Sequence, residues 1–293
     1  MDKILSLILF VIFCLAGPGY AAFELQETGA GNTAMAGAVS SIVRDASSLL
    51  YNPAGLGLAQ ERELLLTQFN PYGWDLLACG SAVYVQPFRK QGSLALSASY
   101  LGTLEDKDYK SQLDYSEVVI MVGYGTRLDF FERSSAGIAL KYLSTRSGQS
   151  DSTGFGLGFG FLYEMRNKIN LALTGKDISL GRINYSTGAS EALNPMVKLG
   201  ISADLLKNFT PSLDLGMRIR GAVDPFQAGL GLQYAYRFLS IRAGFLYTGQ
   251  EMFSLSTGLG VRIPYLKGIS ADYAFVYHTG LDYSNMFSVS LKF

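Results

Sequence analysis

Histidine, tryptophan and cysteine are nearly missing from this chain of 293 residues, which holds one His, one Trp and two Cys. With His278 as the only histidine, no His-based metal cluster can form, and a Ser-His-Asp arrangement would have to use that one residue. The cysteines are Cys14 and Cys79. If Cys14 leaves with a leader, Cys79 alone remains, which excludes an internal disulfide and a multi-cysteine metal site. Charge is also sparse at 16%, and 24 basic residues cancel 24 acidic ones. No basic run suggests nucleic acid. Beyond residue 21 there is no apolar run of helix-spanning length, about 20 residues.

What is abundant is apolar surface in small pieces. The chain is 48% hydrophobic and 13% aromatic, with mean hydropathy +0.19. Apolar residues spread thinly over many short segments are the expected disposition of a transmembrane β-barrel. Residues 1–21 read as a secretory signal peptide: Lys3 gives the positive start, Ile4 to Ala16 the apolar core, and Gly19-Tyr20-Ala21 the small cleavage residues. Gly17-Pro18-Gly19 interrupts the run too early for a spanning helix.

Period-two alternation then dominates. Phe155, Leu157, Phe159, Phe161 and Tyr163 alternate with Gly156, Gly158, Gly160, Leu162 and Glu164, and Phe253 to Ile263 repeats the pattern. The same test places strands at 62–69, 75–86, 92–102, 113–127, 134–146, 152–165 and 168–177. It continues with 194–206, 209–220, 224–237, 238–248, 252–264, 267–278 and 285–293. That makes fourteen, most of them near or above the ~9–11 residues of a tilted membrane-crossing strand. Even-numbered strands are followed by tight connections such as Arg166-Asn167 and Tyr265-Leu266, and odd-numbered ones by variable loops, the longest from Ile178 to Leu193. Short turns on one side and longer loops on the other are the outer-membrane arrangement. His278 is expected at an external strand end, in a surface or loop role. Gly154-Phe155-Gly156-Leu157-Gly158 and Gly258-Leu259-Gly260 look like phosphate-loop fragments but lack a following helix. Small inward residues that make room for a plug explain them better. Asp106-Lys107-Asp108-Tyr109 and Ser150-Asp151-Ser152 are incomplete as calcium loops.

Before the strands lies a block rich in small residues, Thr28 to Gly57. It carries Gly29-Ala30-Gly31, Met35-Ala36-Gly37-Ala38, Arg44-Asp45-Ala46-Ser47 and Tyr51-Asn52-Pro53-Ala54-Gly55-Leu56. These four pieces, in register, resemble the N-terminal hatch of the FadL-type outer-membrane transporter superfamily, including its PorV/PorQ branch. Ala36 stands where that pattern has a glycine, and Arg44 where it has an aspartate. The hatch positions implied are Gly29, Gly31, Met35, Gly37, Asp45, Tyr51, Asn52, Pro53 and Gly55. The C-terminal alternation Phe287, Val289, Leu291, Phe293 resembles the signal read by the barrel-assembly machinery, and the end of the chain looks closer to the PorV/PorQ branch.

The expected architecture is thus all-β: a signal peptide (1–21), a small N-terminal hatch (22–60) inside the lumen, and a transmembrane antiparallel barrel of about fourteen strands (61–293). Charged residues in phase with the inward face are Lys141, Glu164, Lys198, Asp204, Asp214, Arg218, Arg220, Arg237, Arg242, Arg262 and Asp272. Basic side chains facing lipid would cost ~2–4 kcal/mol each near the midplane, so they should point into the lumen. There they pair with one another and with hatch groups such as Asp45, or line a polar route for an anionic head group. Outward Phe, Tyr and Trp74 read as interfacial girdle residues. The resemblance implies passive transport of a hydrophobic, fatty-acid-like molecule across a bacterial outer membrane, without cofactor, metal or catalysis. Its alternative is a PorV/PorQ-like accessory of type IX secretion that binds protein cargo. The partners are outer-membrane lipid, the assembly machinery, and either a hydrophobic ligand or a secretion partner; nucleic acid is not among them.

Overall fold

In the computed structural model the described residues are 28–73, 77–89, 91–104, 114–148, 150–179, 182–186, 188, 190–205, 207–219, 226–249 and 252–293. The expected signal peptide, Trp74, Arg220 and the Asp106–Tyr109 stretch lie outside them.

Fourteen antiparallel strands close into a barrel. The first seven are β1 (Glu63–Asn70), β2 (Leu77–Phe88), β3 (Gly92–Thr103), β4 (Tyr115–Arg127), β5 (Ser134–Ser147), β6 (Ser150–Glu164) and β7 (Ile169–Ser179). After a short hairpin, β8 (Arg182–Tyr185) and β9 (Ser190–Ala192), the wall resumes with β10 (Met196–Ala203) and β11 (Phe209–Arg218). It is completed by β12 (Phe226–Tyr236), β13 (Leu239–Tyr247), β14 (Phe253–Arg262), β15 (Ile269–His278) and β16 (Ser284–Lys292). Pairing is between chain neighbours throughout, β7 passing over the hairpin to β10. β1 then pairs with β16, from Glu63 opposite Lys292 to Asn70 opposite Asn285, and removes the free edge. Closing the ladder gives every wall strand a partner on both sides, the condition for crossing lipid with strands.

Alternation decides which way each side chain points. Outward Leu199 and Ile138 are both 59% exposed, whereas their inward neighbours Lys198 and Ala139 are buried. Leu213, Leu215, Met217, Leu230, Leu232 and Leu259 share the exposed apolar face. Inward positions are small or polar: Ser93, Ser97, Ser212, Ser256, Ser288 and Ser290 are all buried. Among the described residues no helix is long and apolar enough to cross a membrane.

The Ile178–Leu193 connection carries a hairpin outside the wall. β8 pairs with the outer end of β6, Asn184 opposite Thr153, and Ile183 packs over Gly154. Ile183 and Leu193 join the apolar cluster that contains Leu50, Met121 and Leu143. The expectation that the β6 glycines make room for the N-terminal block therefore needs correcting. Gly154 and Gly156 give way to the hairpin and its root, while Gly160 faces Asn52 and Pro53 of the block.

Candidate functional site

The segment Thr28–Leu58 packs against the inward faces of strands all round the wall. It has one helical turn at Ala30–Thr33, another at Ser48–Tyr51 and a 3-10 turn at Pro53–Leu58. Asn52 caps the last: its Oδ1 accepts from Ala54 N at 3.0 Å, and Pro53 occupies the first position, where no donor is needed. Asn52 Nδ2 donates to Ser40 O at 2.7 Å, tying the two halves of the segment together. Wall hydroxyls satisfy much of the remaining backbone. Ser288 Oγ accepts from Ala30 N at 2.8 Å, Ser256 Oγ donates to Ala34 O at 3.1 Å, and Ser212 Oγ donates to Ala38 O at 2.5 Å.

Inward glycines allow this close approach. A Cβ on Gly137 or Gly125 would overlap the Pro53 carbonyl, and one on Gly244 would overlap the Ala36 backbone. Of the motif glycines, Gly29 and Gly37 take positive φ (120° and 66°), while Gly31 faces Arg242 and Asp272, and Gly55 has no room for a Cβ beside Val43 O. Met35 and Tyr51 are buried.

Wall carboxylates hold the middle of the segment. Asp214 accepts from Ser40 N at 3.1 Å and from Ser40 Oγ at 2.8 Å. Glu164 accepts from Arg44 at 2.9 Å, and Glu63 from Ala46 N at 3.1 Å and from Ser290 Oγ. Asp45 instead uses its own carboxylate on Ser47, accepting from Ser47 N at 3.0 Å. The expected pairing of Asp45 with a basic wall residue is thus replaced. Glu63 and Glu164 stand at this level together with Lys292, whose Nζ is 3.9 Å from Glu63; Glu63 takes the Ala46 N–H and Glu164 takes Arg44.

The other predicted charges divide by position. Lys141, Lys198 and Asp214 are buried at inward positions. Arg242 bridges Asp272 at 2.5 Å and donates to Gln233 at 2.7 Å. Arg218 ends β11 beside the cavity described below. Arg262 ends β14 opposite Ser270 at the turn end of the wall, exposed. Two expectations fail geometrically. Arg237 sits in the β12–β13 turn with φ 53°, its guanidinium 5.3 Å from the ring of outward Tyr236. Asp204 lies past the end of β10, exposed, and accepts from Thr210 Oγ1 at 2.9 Å. In both cases the strand stops one residue or more before the charge, so alternation no longer governs its direction. Phe287, Val289 and Leu291 face outward on β16, and Phe293 stacks on Tyr84 at 6.5 Å.

Between the segment and the loop end of the barrel lies a cavity of about 760 Å³. Its size falls within the ~300–1,000 Å³ range of small-molecule sites. Leu49, Leu50 and Tyr51 of the segment line it from below. One side carries the apolar residues Phe69, Leu246, Phe253, Val276, Leu281 and Met286, interspersed with the polar Ser254, Thr279 and Asn285. The facing side carries Lys141, Lys176, Lys198 and Arg218 and, among the described residues, the carboxylate Asp177. His278 also lines the cavity, which corrects the expectation of a plain surface residue: its Nε2 is 3.1 Å from Ser284 Oγ, and its ring meets Tyr72 edge-on at 5.1 Å.

Lys176 and Asp177 were not among the expected residues. β7 contains a bulge opposite Gly158: Phe159 pairs with Gly175 but Leu157 with Ile178. The extra residue turns two successive side chains inward, which alternation alone cannot anticipate. Lys176 lies 5.2 Å from the Tyr51 ring centroid and Asp177 reaches Lys141 Nζ at 2.6 Å. Among the described residues no cluster of His, Cys, Asp and Glu is arranged to hold a metal.

No family model matches the chain, and no curated protein matches it. Solved structures do. The Pseudomonas putida toluene transporter TodX superposes with TM-score 0.66 at 14% identity, over 92% of this chain and 99% of that one. The Ralstonia pickettii toluene transporter TbuX gives 0.64 at 14%, over 93% and 100%. A Pseudomonas aeruginosa FadL homologue gives 0.65 at 13%, over 93% and 99%. At this identity the likeness is one of fold, and the chain is a closed β-barrel built on the same plan as these transporters.

Proposed function

We propose that this protein is a passive outer-membrane channel for a hydrophobic small molecule bearing an anionic head group, a fatty-acid-like amphiphile. The carrying observation is the cavity itself, with Phe69, Phe253 and Met286 on one side, four basic side chains and, among the described residues, one carboxylate on the other, and Leu49, Leu50 and Tyr51 of the buried segment beneath. An apolar tail gains by leaving water for the Phe69–Phe253–Met286 side, at ~25 cal/mol per Å². A carboxylate is drawn to the Lys141–Lys198–Arg218 side, where partial burial strengthens the attraction over that in water. The Thr28–Leu58 segment acts as the hatch. The bulge at Gly158 offers a sideways exit, because outward Leu157 belongs to the cavity lining. The apolar outer face supports an outer-membrane location, reached after removal of residues 1–21 and with Phe293 read by the assembly machinery. The solved transporters described above, two of them named for toluene, support the coarser reading, passage of a hydrophobic small molecule; the anionic head group rests on the cavity alone.

The test is uptake by proteoliposomes of dodecanoate and of dodecane, with the wild-type protein and with Lys198→Met/Arg218→Met. The expected result is wild-type uptake of dodecanoate well above protein-free vesicles, reduced at least severalfold by the double substitution while dodecane is spared. No uptake of either compound would sink the small-molecule reading.

A further inference from the structure

The side of the cavity across from the basic residues holds a row of polar groups within its apolar lining. Ser254, His278 and Ser284 line the cavity from the loop ends of β14, β15 and β16, one on each of three neighbouring strands. Ser254 stands directly opposite His278 in the β14–β15 register, a pairing that sets their Cβ atoms ~5 Å apart. His278 Nε2 lies 3.1 Å from Ser284 Oγ, and the same hydroxyl accepts from Tyr72 N at 2.9 Å. Ser284 therefore has its proton to offer Nε2, which leaves the imidazole proton on Nδ1. The Tyr72 ring packs edge-on against the imidazole at 5.1 Å. Neither His278 Nδ1 nor Ser254 Oγ has a hydrogen-bond partner among the described residues, and Ser254 is only 9% exposed. Two residues along from His278 and from Ser284, the lining is apolar again, with Val276 and Met286.

We propose that His278 and Ser254 form a second polar subsite, which takes a hydroxyl group carried far along the ligand's tail, so that the solute is a hydroxylated fatty acid. This rests on the transport reading given above and names its solute more closely. A hydroxyl both donates and accepts, and the pair offers a donor in His278 Nδ1–H and an acceptor in Ser254 Oγ. An all-carbon tail displaces water from both groups and returns no hydrogen bond, which opposes its binding. A site of this kind separates two ligands that differ by one hydroxyl better than apolar packing does. The wall sets where that hydroxyl must be. Arg218 on β11 and His278 on β15 are four strands apart, about 19 Å of wall at ~4.8 Å per strand. A carboxylate held at Arg218 keeps an α-hydroxyl on the basic side, whereas a hydroxyl at the far end of the chain is carried toward His278.

The experiment measures binding to the full-length protein in lipid nanodiscs by calorimetry, with empty nanodiscs subtracted. The ligands are dodecanoate, ω-hydroxydodecanoate and α-hydroxydodecanoate. The proteins are the wild type, His278→Phe, which keeps a ring, and Ser254→Ala, the milder change should the first fold poorly. The affinity of the ω-hydroxy acid relative to dodecanoate should fall roughly three- to tenfold in each variant, the loss of an ordinary hydrogen bond. The same ratio for the α-hydroxy acid should stay constant, and dodecanoate itself should bind the variants at least as well as the wild type. An ω-hydroxy ratio unchanged by both substitutions overturns the subsite while leaving transport standing. An α-hydroxy ratio that falls equally also overturns it, because the hydroxyl would then be read near the head group. Absence of binding of all three acids to every protein overturns the transport reading, and the subsite with it.

Discussion

Arg44 of the N-terminal segment donates to Glu164 at the turn end of β6, with Nη2 2.9 Å from Oε1. Both side chains are about a third exposed, at 32% and 35%. An ion pair of that exposure contributes ~0–1 kcal/mol, so its worth lies in placement more than in stability. It is one of the wall-to-segment ties, with Asp214–Ser40 and Glu63–Ala46, that fix the stretch from Ser40 to Ala46.

Reversing the charge at this tie tests it. Arg44→Asp faces Glu164 with a like charge and should raise single-channel current in planar bilayers, with melting temperature changed little. Arg44→Asp combined with Glu164→Arg should bring the current back down. Equal currents in all three proteins would mean that the segment is held without this contact.

Asn52→Ala removes a fully buried amide that donates to Ser40 O and accepts from Ala54 N. Leaving buried backbone partners unmatched costs ~1–3 kcal/mol each. The segment should become sensitive to protease while the barrel band on a gel stays intact. Unchanged digestion would show that the glycine contacts alone suffice.

Gly137→Ala adds a methyl group where the Pro53 carbonyl sits, on a backbone that has no side chain to move aside. Overpacking of this kind costs ~1–3 kcal/mol. The expected outcome is a lower folding yield or a displaced segment, seen as higher conductance. Normal yield with a protease-resistant segment would contradict the packing described.

Ala36 runs the opposite way. It stands where the resembled motif has glycine, and it keeps the left-handed conformation, φ 55°. An L-residue there costs ~1–2 kcal/mol, so Ala36→Gly should stabilise the segment by up to about that much. Slower proteolysis of the segment, with conductance unchanged, is the outcome to look for; faster proteolysis would contradict it.

The sequence alone determined the wall. Alternation placed fourteen strands, expecting 238–248 where Leu239–Tyr247 forms and 252–264 where Phe253–Arg262 forms. It did so because a strand's two faces meet different surroundings, and period two records that difference residue by residue. Small inward residues and the Asn52-Pro53 turn were legible for the same local reason. Tertiary structure decided what depends on neighbours. Asp177 points inward only because β6 and β7 slip past each other at Gly158, and Arg237 leaves the lumen because β12 ends at Tyr236. Glu63 holds Ala46 and has Lys292 opposite it across the β1–β16 seam, while Asp45 turns to Ser47. Register, strand ends and charge partners are set by which strands lie side by side, and one strand's pattern carries no record of them.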